Sequence, residues 1–278
     1  MNNPTIGLYL SPLPKYIQNE KDKNKYLFMF ESFIIHELTL FKQSNINYVI
    51  IPYNLNKKLI NNCLNMLDGL IICGNYPGPY VDDIEHKKHY NTINIIYNKI
   101  ININKIRPFP VIGECYGYEI LINIIENQKQ YNKQLFTHFD VKYPMFYKKT
   151  KFLNKKYENN ISYFYLHVGF LYNHLNKTKN LKNNYEPISI LKLNNKDMID
   201  IIKHKLYPIF FSKSHVLYDN KNIKKEFFHF ANLSYQYRKL IYKNIKNKFP
   251  LPKLKYKTIP NPHPEYHIYE KKIRLYQI

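Results

Sequence analysis

The sequence predicts an α/β fold built on a doubly wound, mostly parallel sheet with helices on both faces. Short apolar runs of strand length alternate with longer stretches whose apolar residues recur at helical spacing. Near-continuous apolar strands separated by helices are typical of parallel sheets that are covered on both faces. One of these strands leads directly into a cysteine flanked by glycines and then into a helix, which is the arrangement of a nucleophile elbow.

The first half of the chain supplies most of this pattern. Apolar runs predict strands at Thr5–Leu10, Tyr48–Pro52, Asp68–Cys73 and Pro108–Ile112. Helical spacing predicts helices at Lys25–Gln43, Asn56–Leu64, His86–Ile103 and Tyr116–Glu126. Because each helix connects one strand to the next, we expect right-handed βαβ units.

The second half is less regular. Strands are predicted at Asn160–Tyr165, Glu186–Leu193 and Tyr207–Ser212, and a long helix at Asn222–Asn247. Prolines punctuate residues 249–278, which predicts a C-terminal tail that wraps around the surface. Since no linker-like segment divides the chain, residues 1–278 are predicted to form a single domain.

The composition excludes several classes of protein. Hydrophobic residues make up 45% of the chain, which excludes a disordered protein. No apolar run approaches about 18 residues, so the sequence predicts no membrane-spanning helix and no membrane partner. The three cysteines are an odd number, which excludes a disulfide framework. No signal peptide is visible at the first residues, so we expect a cytoplasmic protein with reduced cysteines.

The chain is strongly basic, with 42 Lys and Arg against 20 Asp and Glu and a formal net charge of +22. Such a charge raises nucleic acid or an anionic membrane as a partner. The lysines are scattered rather than clustered, however, and Asn, Lys, Ile and Tyr dominate together, as an AT-rich genome would produce. We therefore expect a solvated basic surface, and a nucleic-acid partner is not predicted.

The strongest local motif surrounds Cys115. Gly113 lies two residues before it and Gly117 two residues after it. A nucleophile at the end of a strand sits on a tight, strained turn, so its neighbours must be small. A thiol at the following helix N-terminus is expected to have a pKa lowered from about 8.5 by the helix dipole. Cys115 is therefore the candidate nucleophile, and Cys63 and Cys73 are predicted to be core residues.

A cysteine nucleophile needs a base, and His215 is the candidate. It follows the predicted strand Tyr207–Ser212 by a short loop, which places it at the edge of an α/β sheet where catalytic groups gather. His263 and His267 lie among prolines that prevent the helix needed to align them, and no cysteine joins them. No metal and no cofactor are therefore predicted.

The segment Gly113–Glu119 resembles the Gly-x-Cys-Leu-Gly-Phe-Glu elbow of the γ-glutamyl hydrolase family, in the class I glutamine amidotransferase-like superfamily with its flavodoxin-like fold. Other segments agree with the family in order and spacing, so the resemblance covers nearly the whole chain. These segments are Asp68–Asn75, Leu166–His167, Tyr207–His215 and the closing strand at Leu275–Ile278.

The resemblance implies a cysteine peptidase that cleaves the γ-glutamyl bonds of folylpoly-γ-glutamates, small-molecule substrates, without a cofactor. Carried over by motif, Cys115 is the nucleophile and His215 the general base and acid. Substrate-binding or oxyanion roles fall on Gly74, Asn75, Tyr116, Glu119 and His167. The family tends to form homodimers, and its members are often vacuolar, lysosomal or secreted.

The chain departs from the family in several places. The family's His-Pro-Glu is His215-Val216-Leu217 here, so the carboxylate that orients the histidine is missing, and Asp219 is a candidate replacement. Glu114 places a carboxylate beside the thiol and, if it points inward, raises the thiol pKa. Asn75 replaces a family glycine, although Asn tolerates the left-handed backbone better than most residues.

Three functions therefore remain open. The first is an active γ-glutamyl hydrolase-like cysteine hydrolase. The second is a catalytically degenerate member that acts as a binding or structural protein. The third is hydrolysis of the glutamine amide, against which Glu119 counts, because amidotransferases usually carry Gln there.

Overall fold

The structure is a computed structural model. It describes residues 3–14, 25–73, 83–128, 135–138, 145–147, 151–158, 162–164, 168–193, 195–214, 217, 220–241, 253–261 and 272–278.

Sixteen strands are formed by the described residues. In chain order they are β1 (Thr5–Tyr9), β2 (Ser11–Pro12), β3 (Tyr26–Phe30), β4 (Asn47–Ile51), β5 (Gly69–Ile72), β6 (Val111–Glu114), β7 (Thr137–His138), β8 (Met145–Tyr147), β9 (Lys151–Phe152), β10 (Ser162–Phe164), β11 (Val168–Leu171), β12 (Tyr185–Leu193), β13 (Lys196–His204), β14 (Ile209–Ser212), β15 (Tyr256–Pro260) and β16 (Lys272–Gln277).

The α-helices lie between these strands. They are α1 (Glu31–Gln43), α2 (Lys57–Met66), α3 (Asp83–Asn104), α4 (Tyr116–Ile125), α5 (Tyr172–Leu175), α6 (Lys179–Asn184) and α7 (Lys221–Ile241). A short 3-10 turn covers Lys155–Tyr157.

The main sheet is mixed and contains a parallel half. Strands β4, β1, β5, β6 and β14 lie side by side in that order, and each neighbouring pair is parallel. Strand β13 then pairs antiparallel with β14, and β11, β7, β12 and β9 extend this side. The predicted α/β fold is confirmed, as a mixed sheet with helices on both sides. All the strands of the parallel half end at one edge, which is where a site is expected.

Helices cover both faces of the main sheet. On one face α2 contacts α3 and α3 contacts α4 in series. On the other face α7 packs on β1 and β5, and the Phe41 ring of α1 meets the Phe228 ring of α7 at a centroid distance of 6.3 Å. The parallel strands are therefore buried on both sides, which explains their unbroken apolar sequences.

A second, antiparallel sheet corrects one sequence prediction. The predicted helix Lys25–Gln43 is a helix only from Glu31, because Tyr26–Phe30 forms β3. Strand β3 lies between β2 and β16, and β15 completes the sheet. The aromatic and apolar residues of β3 suit a strand as well as a helix, and the partner that decides between them comes from the end of the chain.

A buried ionic cluster joins α7 to the edge of the main sheet where the strands begin. Asp68 is fully buried before β5, and Arg238 donates to its two oxygens from Nε at 2.8 Å and from Nη2 at 2.9 Å. The Thr5 amide donates to the same carboxylate at 2.9 Å, and Arg107 lies 3.7 Å from it. This cluster lies at the opposite end of the strands from the elbow and therefore serves the fold.

The remaining predictions differ mainly in their bounds. Strand β13 was missed, although it is one of the two longest described strands, because charged residues interrupt its apolar pattern. The tail supplies strands β15 and β16, and its description as part of a single domain stays a prediction. Within the described part of the chain, no helix is both long enough and apolar enough to cross a membrane.

Candidate active site

The predicted elbow is present at the end of β6. The strand ends at Glu114, Cys115 forms the turn, and α4 begins at Tyr116. Cys115 has a φ of 52° and a ψ of −111°, a combination that side chains rarely adopt. The other described non-glycine residues with positive φ are asparagines, which tolerate it best. A strained cysteine at a strand-to-helix turn is a candidate functional position.

Two glycines allow this turn to form. A Cβ on Gly117 would lie 2.6 Å from the backbone oxygen of Ile72 in β5, and a Cβ on Gly113 would lie 2.4 Å from Cδ1 of Leu121 in α4. All ten residues of α4 are buried. The helix therefore packs directly against the sheet and holds the elbow in place.

Cys115 is a partly exposed residue, and the pKa of its thiol corrects the sequence prediction. Cys63 and Cys73 are buried, as predicted for core residues, and burial raises the pKa of the Cys63 thiol to about 11. Burial also raises the pKa of the Cys115 thiol, so the expectation of a lowered value is wrong. The Tyr116 backbone amide, at the start of α4, lowers this pKa, but its effect is smaller than that of burial.

A buried ion pair lies beside the thiol. Lys213, directly after β14, donates from Nζ to Glu119 Oε1 in α4, and the two side chains are only 3% and 2% exposed. Lys213 lowers the pKa of the Cys115 thiol, whereas Glu119 raises it. Glu119, predicted as a substrate-binding residue, is thus held by a lysine that the sequence pattern alone does not single out.

The Glu114 side chain points inward. It contacts Leu217, which stands where the resemblance implies the third catalytic carboxylate. The Glu114 side chain is buried, and its Oε1 accepts a hydrogen bond from the Leu217 amide at 3.4 Å. Leu217 itself is buried, at the position where the resemblance implies a glutamate. Burial is the main cause that raises the pKa of the Cys115 thiol, and Glu114 adds to it, as predicted. Burial also raises the pKa of the Glu37 carboxyl, again with a smaller contribution from Glu114.

Tyrosines and histidines pack on the other side of the elbow. The Tyr116 hydroxyl is hydrogen-bonded to His86 Nε2, and the His89 ring stacks on Tyr116 at 6.0 Å. Tyr9, at the end of β1, stacks on His89 at 5.4 Å. Burial and the nearby His86 lower the pKa of His89 to about 3, so His89 stays neutral at pH 7. These rings form an aromatic wall beside the strand ends.

A buried carboxyl lies behind the end of β14. Asp200 in β13 is fully buried and accepts a hydrogen bond at Oδ2 from the Ser189 hydroxyl at 3.0 Å. Oδ1 has no hydrogen-bond partner among the described residues. Burial raises the pKa of Asp200 to about 7, although the nearby Ser189 and Ser214 hydroxyls favour its charged form. Sequence reasoning missed this residue, since an acidic residue within a charged strand gives no local signal.

The structure brings together Cys115, Tyr116 and Glu119 of the predicted site. Gly74, Asn75, His167, His215 and Asp219 lie outside the described residues, as do His263 and His267. Among the residues that are described, no group of three or more His, Cys, Asp and Glu side chains is placed to hold a metal ion. The described chemistry is therefore that of a thiol, a buried ammonium and buried carboxyl groups.

Comparison with known proteins supports the fold and leaves the family open. No protein-family model and no curated protein matches the chain. A crystal structure from Thermoplasma acidophilum, described as that of a GMP synthase subunit, matches with a TM-score of 0.51 and 14% identity, covering 87% of this chain and 98% of its own. A ThuA-like protein from Bacteroides uniformis matches with a TM-score of 0.45 and 10% identity, covering 83% and 93%. The first likeness supports the doubly wound, flavodoxin-like α/β fold.

Proposed function

We propose that the protein is a cysteine hydrolase that cleaves the γ-glutamyl bonds of folylpoly-γ-glutamates. The observation that carries this proposal is the strained backbone of Cys115 at the turn between β6 and α4. Such strain costs on the order of 1–3 kcal/mol. It persists only where the surrounding structure enforces it, and strained residues cluster at functional sites. Cys115 is a partly exposed residue whereas Cys63 and Cys73 are buried, and this difference supports a reactive role for Cys115.

In the proposed reaction the Cys115 thiolate attacks the γ-amide carbonyl carbon of the substrate. The carbon–nitrogen bond then breaks, and the leaving glutamate amine takes from His215 the proton that the Cys115 thiol gave up to it. The pteroyl-containing part stays on the sulfur as a thioester. Water attacks this thioester while His215 accepts the water proton, which releases the product and restores the thiol.

The Tyr116 amide is the proposed oxyanion donor. It follows the nucleophile, begins α4, and lies close enough to lower the pKa of the Cys115 thiol. A backbone N–H in this position stabilises the negative oxygen of the tetrahedral intermediate. Amides near Gly74 and Asn75, and a substrate contact by His167, complete the proposal from the family resemblance. Asp219 remains the proposed replacement for the missing third carboxylate.

The polyanionic substrate class agrees with the charge of the chain, which carries a formal net charge of +22. A positive protein attracts anionic substrates over distances of about 8–10 Å at physiological salt. Homodimer formation and a cytoplasmic location stay predictions from the sequence.

Two observations favour a second candidate, a degenerate member that binds a ligand without cleaving it. Burial raises the pKa of the Cys115 thiol, and Leu217 occupies the place of the family carboxylate. In such a protein the elbow would be retained as part of the fold, and the thiol would stay protonated at neutral pH.

Hydrolysis of a pteroyl-poly-γ-glutamate, followed by mass spectrometry of the products, separates the two candidates. We expect the wild type and the control Cys63→Ala to release glutamate, and Cys115→Ser and His215→Ala to lose the activity. Free glutamine is tested in parallel, because the first structural match is described as a GMP synthase subunit. Absence of release by a folded wild type would favour the degenerate candidate, and ammonia release from glutamine alone would favour amide hydrolysis.

A further inference from the structure

Lys213 is held in an unusual position for a lysine. Its backbone amide donates to the Asp200 carbonyl oxygen at 2.9 Å, which fixes its main chain at the end of β14. Its side chain is 3% exposed and reaches Glu119 in the first turn of α4. Lysine is almost never fully buried unless it is paired, so this ammonium group is held by a specific partner.

The same contacts bring Lys213 next to the elbow. The Cys115 amide donates to the carbonyl oxygen of Ser212, the residue before Lys213, at 2.9 Å. The Glu119 amide donates to the Cys115 carbonyl oxygen at 3.4 Å. The ion pair therefore links the end of β14 to the first turn of α4. These are the same two elements to which Cys115 is held by backbone hydrogen bonds.

The electrostatic influence between the two groups is mutual. Although burial alone lowers the pKa of Lys213, Glu119 and Cys115 together raise it above the ordinary value. In the other direction, Lys213 offsets part of the effect of burial on the Cys115 thiol. An ammonium group so placed stays protonated, and its charge favours the thiolate form of Cys115.

We propose that Lys213 is a positioning residue of the active site, whose buried ammonium group stabilises the thiolate form of Cys115. This inference rests on the proposed function and adds the source of the activating charge. In a site where Leu217 replaces the carboxylate that would support an imidazolium, a fixed ammonium group supports the thiolate directly. The thiol proton leaves to His215 or to solvent, and Lys213 keeps its own proton throughout.

Glu119 has a second role in this arrangement. Its carboxylate anchors the lysine, and its negative charge offsets part of the effect that the lysine has on the thiol pKa. The charged groups that act on the thiol from the described residues are Lys213 after β14, Glu119 in α4 and Glu114 in β6. Loss of Lys213 thus leaves two carboxylates and no cation among these groups, which disfavours the thiolate.

The test is the pH dependence of Cys115 alkylation by iodoacetamide, measured by peptide mass spectrometry on the full-length protein. Because removal of a nearby opposite charge disfavours the thiolate, we expect Lys213→Met to move the midpoint upward, on the order of one pH unit. Lys213→Arg keeps the charge and should restore most of the shift. Lys225→Met removes an exposed lysine instead and should leave the midpoint unchanged.

A double variant keeps the test valid if Lys213→Met alone fails to fold. Lys213→Met with Glu119→Gln removes both charges, and neutral replacement of a buried ion pair is often tolerated. Glu119→Gln alone keeps the lysine and is the reference for the double variant, which should therefore have the higher midpoint of the two. A folded double variant with a midpoint equal to or below that of Glu119→Gln would overturn the inference.

Alkylation does not require hydrolysis, so this test and the test of the proposed function fail separately. A shifted midpoint in a protein that cleaves no γ-glutamyl bond would retain the role of Lys213 and overturn the proposed substrate. An unshifted midpoint in an active hydrolase would overturn the role of Lys213 alone.

Discussion

The backbone amide of Cys115 donates a hydrogen bond to the carbonyl oxygen of Ser212 at 2.9 Å. This bond continues the parallel pairing of β6 and β14, in which Glu114 lies opposite Ser212. It ties the turn that carries the thiol to the strand whose continuation is Lys213, Ser214 and, next in the sequence, His215. The turn that carries Cys115 and the described residues at the end of β14 are thus fixed to each other through the sheet.

The strain at Cys115 predicts an inverted effect of glycine. At an ordinary position, glycine destabilises a protein by roughly 0.5–1 kcal/mol relative to alanine. Because the backbone of Cys115 suits glycine better than any residue with a Cβ, we expect Cys115→Gly to be more stable than Cys115→Ala by about 1 kcal/mol. Urea unfolding of the two variants measures this difference. A less stable glycine variant would show that the turn is not strained.

The contact of Gly117 with β5 predicts that alanine is not tolerated there. In a helix, Gly→Ala usually adds up to about 1 kcal/mol of stability. Here the new Cβ would lie 2.6 Å from the Ile72 backbone oxygen, so we expect a loss of about 1–3 kcal/mol. Gly113→Ala is the comparison, since its Cβ meets the end of the Leu121 side chain, which can move. Thermal unfolding should show the larger loss for Gly117→Ala, and the reverse order would contradict the packing described.

The buried ionic cluster at Asp68 predicts a large loss of stability without a specific loss of chemistry. Arg238→Met removes two hydrogen bonds to a fully buried carboxylate and should cost about 3 kcal/mol in the free energy of unfolding. Lys239→Met, next to it on α7 but exposed, should change this value by less than about 0.5 kcal/mol. Urea unfolding of both variants provides the measurement. Equal effects would mean that Arg238 contributes no more than a surface charge.

Asp200 predicts a pH dependence of stability. Its pKa of about 7 in the folded state lies above the value of about 3.9 expected in the unfolded chain, so the folded state holds the proton more tightly. Its stabilising contribution is complete below about pH 4 and is lost as the pH rises to 7. Asp200→Asn should therefore gain up to about 4 kcal/mol over the wild type at pH 8 and little at pH 4.

The matched control for Asp200 lies on the same strand. Asp197 in β13 is exposed, and Asp197→Asn should leave the pH profile of unfolding unchanged. Denaturant unfolding between pH 4 and 8 measures both variants against the wild type. If the gain of Asp200→Asn were the same at every pH, the Asp200 carboxyl would not be the titrating group.

Much of the parallel half of the fold could be predicted from the sequence. Strands such as β1 and β5 are buried on both faces, so their sequences are apolar without interruption. The strands that were missed depend on distant partners. Tyr26–Phe30 becomes a strand because β16 pairs with it. Lys196–His204 carries charged residues, which in a local sequence pattern favour a loop.

The candidate site likewise has one feature that could be predicted from the sequence and one that could not. The turn at Cys115 could be predicted because the glycines that permit it are its neighbours in the sequence. The pKa of the thiol could not be predicted, because burial and the Lys213–Glu119 ion pair depend on packing between β14 and α4. The effect of the Tyr116 amide at the start of α4, which lowers the pKa of the thiol, is smaller than that of burial.

The most direct test of the account is to trap the covalent intermediate on Cys115. The wild type is mixed with a pteroyl-poly-γ-glutamate, quenched in acid within milliseconds, digested and analysed by mass spectrometry. We predict that the peptide containing Cys115 carries the pteroyl-containing acyl group, and that Cys115→Ala forms no adduct and releases no glutamate. Undiminished glutamate release by Cys115→Ala would contradict the account, as would a folded wild type that forms no adduct and releases no glutamate.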